Sequence, residues 1–107
     1  MAEHSFDEIV SFFNAHIAKS GKRFYSDFYV GITNDIERRL FQEHNVNRET
    51  MWWAYSTAAS KDIAEQVEKH FLGLGMKGDT GGGTPETKIV YCYAISPTTV
   101  EGRAQNG

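Results

Sequence analysis

A tyrosine and two arginines stand close together in the segment Phe28–His44, which reads FYVGITNDIERRLFQEH. The β-branched and aromatic residues at its start favour a strand. Asn34, followed by a glutamate three residues later, is typical of a helix N-terminus. The pattern therefore predicts a strand, a turn and a helix that bring Tyr29 close to Arg38 and Arg39. Guanidinium groups are able to stabilise negative charge that develops on a phosphoryl group during hydrolysis.

The same segment resembles the second half of the GIY-YIG nuclease motif. In that family a strand ending Tyr-(Ile/Val)-Gly leads through a short turn to a helix that carries an arginine ten positions after the tyrosine. Tyr29, Val30, Gly31 and Arg39 stand in that register. The resemblance implies that Tyr29 lies beside an attacking water and that Arg39 holds the scissile phosphate. The adjacent Arg38 is a further candidate phosphate contact.

A second block, around Glu68, resembles the helix on which this family carries a metal-binding glutamate. Apolar residues recur at helical spacing around it, and one of them directly precedes the glutamate; they are Ile63, Ala64, Val67 and Phe71. The resemblance implies that Glu68 binds one divalent ion, Mg²⁺ or Mn²⁺. Without it, a glutamate at the edge of an apolar stripe is more often simply exposed or ion-paired.

The family's first motif, a strand ending Gly-Ile-Tyr, is missing from its usual place, where this chain has Ala18. The last predicted strand contains Tyr91 and Tyr93 instead. We predict a circular permutation in which this strand pairs beside the Tyr29 strand and Tyr91 replaces the absent tyrosine, with Tyr93 as the alternative. Since neighbouring strands lie about 4.8 Å apart, tyrosines on one face would meet. Two tyrosines packed in a core remain an equal alternative.

His44 is a further catalytic candidate suggested by the resemblance. The family often has a histidine one position earlier, where this chain has Glu43, so His44 is turned by about 100° on a helix and is a candidate for proton transfer. Arg39 and a Mg²⁺ on Glu68 would offset the charge of phosphodiester hydrolysis. Tyr29, with an ordinary pKa of about 10, would need both nearby to act as a base.

The rest of the chain supplies the elements around these residues. Ser5 and Glu8 form a capping box before an apolar stripe, and the other patterns predict strands at 51–59 and 88–96 and a helix from Lys61 to Leu74. The aromatic strand at 51–59, with adjacent tryptophans, is typical of a central strand buried on both faces. We therefore expect an α+β fold with a small antiparallel three-stranded sheet flanked by three helices, in one domain over residues 1–97, followed by a flexible tail at 98–107.

Composition limits the functional classes. The chain has 107 residues, of which 40% are hydrophobic and 23% charged, which suits one core. Its net charge of -3 gives no overall positive field, so nucleic acid must be bound by a local basic patch. Lys22 and Arg23, in the densest basic stretch, are candidate phosphate contacts; solvated loop residues are the ordinary alternative. The single cysteine excludes an internal disulfide. With neither a signal-peptide pattern nor a membrane-spanning run, we expect a cytoplasmic protein.

Three functions are compatible with these patterns. The first is a small metal-dependent DNA endonuclease of GIY-YIG type. The second is a catalytically degenerate domain that binds nucleic acid without cutting it, which the missing first motif favours. The third is a protein-interaction domain or homodimer on the same scaffold, which the negative charge and the aromatic content favour.

Overall fold

A computed structural model describes residues 3–22, 24–78 and 86–101 of the chain. These residues form an α+β fold around one four-stranded sheet in the order β2-β4-β1-β3. The strands are β1 (Phe28–Thr33), β2 (Trp53–Thr57), β3 (Lys77–Gly78) and β4 (Ile89–Ala94). The expected α+β class is therefore confirmed.

The predicted antiparallel three-stranded sheet is matched only in part, because the three predicted strands are antiparallel neighbours but a fourth strand, β3, adds to the sheet in the parallel direction. β4 runs antiparallel to its neighbours β1 and β2, whereas the short β3 pairs parallel to β1, with Tyr29 opposite Lys77. The sheet is therefore mixed. β3 has only two residues and follows a glycine-containing turn, so it lacks the alternating or β-branched pattern by which a strand is recognised in a sequence.

Three helices flank the sheet in the described part of the chain: α1 (Phe6–Ala18), a π-helix (Glu37–Glu43) and α2 (Lys61–Gly73). The capping box at the start of α1 is present, because the Glu8 N–H donates to Ser5 Oγ at 3.2 Å and the Ser5 N–H donates to Glu8 Oε1 at 2.9 Å. At the π-helix the predicted cap, Asn34, is wrong. Asp35 Oδ1 accepts from the Arg38 N–H at 3.2 Å instead, so the helix begins later than predicted.

Alternate residues of each strand separate the sheet into two faces. On the first, which we call the apolar face, α1 and α2 pack against β1, β2 and β4; its buried residues include Ile9, Phe13, Phe28, Val30, Val67, Phe71, Val90 and Cys92. On the second, which we call the tyrosine face, Leu40 of the π-helix packs against Tyr29, Tyr91 and Tyr93. The candidate catalytic tyrosines therefore lie on the face opposite the main core.

The adjacent tryptophans point to opposite faces, as the strand period requires. Trp52 contacts Phe28 on the apolar face with ring centroids 5.1 Å apart, and Trp53 contacts Phe41 of the π-helix at 5.0 Å. The predicted central position of this strand is wrong, because β2 is at the edge of the sheet and Tyr55 is 44% exposed. The tryptophans are covered by side chains packed on either face, and β4 takes the central position.

The chain after β4 differs from the predicted tail. Thr99 is buried, and the Val100 N–H donates to the His44 carbonyl at 2.8 Å. Residues 98–101 therefore pack against the domain, while 102–107 lie outside the described residues, as does the glycine-rich stretch 79–85. Within the described ranges, no helix has the length and apolar character that a membrane span requires.

Candidate active site

The hydroxyl of Tyr91 is the meeting point of the candidate site. Arg39 Nε donates to Tyr91 Oη at 3.3 Å, and His44 Nε2 lies 2.7 Å from the same oxygen. Tyr91 is fully buried on β4, whereas Arg39 belongs to the π-helix and His44 follows it. This contact joins the segment of Arg39 and His44 to β4. In the sequence, only the hypothesis of a circularly permuted strand linked these two parts of the chain.

The strand pairing that the permutation requires is present. β4 lies beside β1, with Tyr29 opposite Tyr93 and Gly31 opposite Tyr91. The rings of Tyr29 and Tyr93 are stacked at 5.4 Å with an interplanar angle of 20°. At Gly31 a Cβ would overlap the Tyr91 ring and hydroxyl. The glycine therefore allows the Tyr91 ring to extend across β1, and both candidate tyrosines share the face of Tyr29.

His44 is held in one tautomer by its surroundings. Its Nδ1 lies 2.6 Å from the Val100 carbonyl oxygen, which can only accept a hydrogen bond, so Nδ1 carries the proton. Nε2 is then the acceptor for the Tyr91 hydroxyl. Burial lowers the pKa of His44, and the nearby Arg39 cation lowers it further, against the opposing effect of the Val100 hydrogen bond. His44 is therefore neutral at pH 7 and able to accept a proton at Nε2.

The two phenols of β4 are held in their protonated form. Burial raises the pKa of Tyr91, although the hydrogen bond from Arg39 opposes this effect. Burial also raises the pKa of Tyr93, whose hydroxyl donates to Glu101 Oε2 at 2.8 Å. A phenol in this cluster can therefore act as a base only if it passes its own proton on, and His44 is the acceptor in contact with Tyr91.

Arg39 connects the buried cluster to the surface. Its side chain is 37% exposed, and its Nη1 is 2.8 Å from Glu43 Oε1. Burial alone would lower the pKa of Arg39, but the contacts with Tyr91 and Glu43 raise it, so the guanidinium remains charged. Arg38 also faces Glu43, at 3.5 Å, and is more exposed. A phosphate that binds Arg39 must therefore compete with the Glu43 carboxylate.

Glu68 lies on α2 and is only 3% exposed. It is close enough to Tyr91 for its negative charge to contribute to the raised pKa of that phenol. The residues 3–22, 24–78 and 86–101 contain no group of three or more His, Cys, Asp or Glu side chains arranged to hold a metal. One carboxylate nevertheless suits Mg²⁺, which keeps several waters and takes oxygens from substrate phosphates. Glu68 is therefore the carboxylate that could hold such an ion jointly with a substrate phosphate.

Of the other predicted phosphate contacts, Lys22 does not join this cluster. Lys22 is exposed after α1, in a groove that it lines with Asn14, Phe24 and Tyr25. Arg23 lies outside the described residues. The structure thus brings Tyr29, Arg39, His44 and Tyr91 together on the tyrosine face. Glu68, on α2, is near enough for its charge to affect the Tyr91 phenol, and Arg38 lies at the margin.

Sequence reasoning missed two residues of the site, Val100 and Glu101. Val100 fixes the tautomer of His44 through its carbonyl oxygen, and Glu101 accepts from Tyr93. Both stand in a polar stretch with no periodicity, so the sequence contains no signal that would place them against His44.

No protein-family model, curated protein sequence or solved structure matches this chain. The interpretation of the site therefore rests on its residues and their geometry.

Proposed function

We propose that this protein is a small, metal-dependent endonuclease that hydrolyses phosphodiester bonds in DNA, with a circularly permuted GIY-YIG-like arrangement. The observation that supports it best is the hydrogen-bonded series Arg39 Nε, Tyr91 Oη and His44 Nε2. A phosphate-binding cation, a phenol and a neutral imidazole are thereby in direct contact beside Tyr29 and Glu68. Under this proposal the protein acts in the cytoplasm, where Cys92 would remain a thiol.

Each residue has a distinct role in the proposed reaction. Arg39 binds the scissile phosphate through the guanidinium nitrogens that now face Glu43, and it offsets the charge that develops on the phosphoryl oxygens. The water oxygen bonds to the phosphorus as the bond from phosphorus to the leaving oxygen breaks, and the leaving oxygen takes a proton from solvent. In the same step the water gives a proton to Tyr91 Oη and Tyr91 passes its own proton to His44 Nε2. Val100 stabilises the imidazolium that results, because its carbonyl accepts from Nδ1. Tyr29 packs against His44 at a ring distance of 4.7 Å and keeps it in place.

A divalent ion held by Glu68 and the substrate would supply further stabilisation of the phosphoryl and leaving oxygens. Because Tyr91 is fully buried, substrate must gain access at the exposed edge of the cluster. We propose that substrate enters at the Arg39–Glu43 ion pair, where the guanidinium is already partly exposed.

The second candidate function is a domain of the same fold that binds nucleic acid or a protein without cleaving DNA. The burial of Tyr29, His44, Glu68 and Tyr91 favours it, since each is at most 3% exposed. The Arg39–Glu43 pair favours it too, because a carboxylate already occupies the guanidinium that a phosphate would need.

A cleavage assay separates the two functions. Supercoiled, linear and single-stranded DNA are incubated with the protein and Mg²⁺ or Mn²⁺, beside Glu68→Gln and Arg39→Ala. Matched controls are Glu65→Gln, on the same helix but paired with Lys61, and Arg48→Ala, a surface arginine paired with Glu37. We expect cleavage by the wild type and both controls, and at least a hundredfold loss in the two site variants.

Absence of cleavage by folded wild-type protein on every substrate would exclude the endonuclease. The salt dependence of binding then identifies the alternative. Neutralisation of several phosphates weakens DNA binding steeply as salt rises, whereas an apolar protein interface responds little.

A further inference from the structure

A groove of about 830 Å³ runs between α1 and the outer edge of β2, where its lining residue Tyr55 is the register partner of Tyr91. Its walls include residues from the start of the chain, α1 and β2, among them His4, Asp7, Glu8, Phe12, Tyr55 and Thr57. None of these residues belongs to the cluster around Tyr91. The groove therefore has no role in the proposed hydrolysis and requires its own explanation.

The outer edge of β2 offers backbone hydrogen-bonding groups to this groove. The Ala94 N–H donates to the Trp52 carbonyl and the Ala58 N–H to the Lys88 carbonyl, so even-numbered residues of this strand face β4. The odd-numbered residues must then direct their N–H and C=O groups outward. Thr57 confirms this, because its carbonyl accepts from the His4 N–H at 2.9 Å. In the part of the chain that the structure describes, no strand pairs with this edge at Trp53 and Tyr55.

The groove combines aromatic surface with negative charge. Phe12 is 38% exposed on the α1 side, and Tyr55 is 44% exposed on the β2 side. Asp7 and Glu8 supply two carboxylates, of which Glu8 Oε1 also lies 3.5 Å from His4 Nδ1, and no lysine or arginine among the described residues lines the groove. Glu8 is fixed by the capping box of α1, and this hydrogen bond from the Ser5 backbone lowers its pKa. The groove therefore presents fixed negative charge beside exposed apolar surface.

We propose that this groove binds an extended, positively charged peptide segment of a partner protein, which adds to the sheet as a strand beside β2. Addition of a strand to an exposed sheet edge is an established mode of peptide recognition, in which main-chain bonds give affinity and alternate side chains give specificity. The outward groups of Trp53 and Tyr55 pair with the peptide backbone. Alternate peptide side chains contact Phe12, and lysine or arginine side chains reach Asp7 and Glu8.

The proline variant Tyr55→Pro tests the backbone pairing directly. Residue 55 directs its N–H away from β4, so proline there removes a bond to the peptide but none to the neighbouring strand. Tyr55→Ala is the matched control, because it removes the same ring and keeps the N–H. Circular dichroism and urea unfolding of both variants establish that they fold.

A displayed library of random ten-residue peptides is selected on the full wild-type chain. We expect enrichment of peptides with lysine or arginine at alternate positions. We also expect at least tenfold weaker binding to Tyr55→Pro than to Tyr55→Ala, and weaker binding to Asp7→Asn. N-methylation of alternate backbone amides in an enriched peptide should abolish binding, a result that does not depend on the folding of any variant.

Failure to enrich any such peptide would overturn the proposal, as would enriched peptides that bind Tyr55→Pro and Tyr55→Ala equally. Sedimentation of the wild type as a dimer that Tyr55→Pro dissociates would assign the edge to a second copy of the chain, which also overturns it. If the protein proved not to cleave DNA, this test would be unaffected, because the groove and the site around Tyr91 share no residue.

Discussion

The apolar face and the tyrosine face are formed by alternate residues of the same strands. Different interactions nevertheless hold each face together. The apolar face buries aliphatic and phenylalanine side chains between the sheet and two α-helices. The tyrosine face buries three phenol rings and a histidine under one π-helix. Among the described residues, no buried side-chain nitrogen or oxygen lacks a hydrogen-bond partner. The comparison shows that one face supplies most of the burial, while the other fixes the orientation of polar groups.

Truncation on the apolar face should have the largest effect. Phe71 is fully buried and packs against Phe13 and Tyr25, with ring centroids 5.7 and 6.2 Å away. We expect Phe71→Ala to lower the free energy of unfolding by about 3–5 kcal/mol, because it leaves a large cavity. Urea denaturation measures this loss. A loss as small as that of any variant on the tyrosine face would contradict the division of roles between the faces.

Gly31→Ala tests how closely the tyrosine face is packed. The new methyl group would overlap the Tyr91 ring, so we expect a loss of about 1–3 kcal/mol from overpacking. Gly73→Ala is the matched control, because no atom lies within 4 Å of the Cβ position and alanine favours a helix. If both variants were equally stable in thermal unfolding, the close contact between Gly31 and Tyr91 would be refuted.

Tyr91→Phe removes one hydroxyl and little volume. His44 Nε2 and Arg39 Nε each lose a partner, and we expect a loss of about 1–2 kcal/mol in urea denaturation. The control is Tyr55→Phe, at an exposed position on β2, where the change should be close to zero. A neutral Tyr91→Phe would mean that the hydrogen bonds of the tyrosine face do not fix its geometry.

The smallest expected effect is a dependence of stability on pH. The pKa of His44 is lowered in the folded state from the usual value near 6.5, so below this pH the unfolded chain binds a proton that the folded chain does not. Stability should therefore fall as the pH decreases from 7 to 5, with a slope of at most about 1.4 kcal/mol per pH unit. The lowered pKa of Glu8 acts only below about 4.5.

Urea unfolding of the wild type and His44→Gln between pH 5 and 7.5 measures this slope. The substitution should flatten it, and an identical slope in the two proteins would assign the titration to another group.

Local patterns in the sequence predicted much of this structure. A capping box and apolar spacing predicted α1, apolar spacing predicted α2, and the composition of 88–96 predicted β4. The proximity of Tyr29, Arg39 and Tyr91 followed from the resemblance together with the requirement for a paired strand. The enzymatic role of these residues stays a prediction.

What could not be predicted depends on contacts between distant segments. The parallel pairing of β3, the edge position of β2 and the packing of Val100 on His44 leave no periodic trace in the sequence. The cap at Asp35 instead of Asn34 is a different kind of miss. Both residue types cap helices well, and in the structure Thr33 Oγ1 accepts from the Asp35 N–H while Asp35 Oδ1 accepts from the Arg38 N–H.

The central position of β4 has a consequence for the order of folding. Along the described chain, no two consecutive strands are neighbours in the sheet, so there is no local hairpin from which the sheet could nucleate. β1 and β4 pair residues that are far apart in the sequence, such as Phe28 and Ala94. The chain between them forms a long loop, and the entropic cost of closing this loop comes before the stabilisation that the pairing provides. We therefore expect the slow kinetics of a fold dominated by non-local pairing. The contact between Arg39 and Tyr91 would form late, when the last strand inserts between two that are already in place.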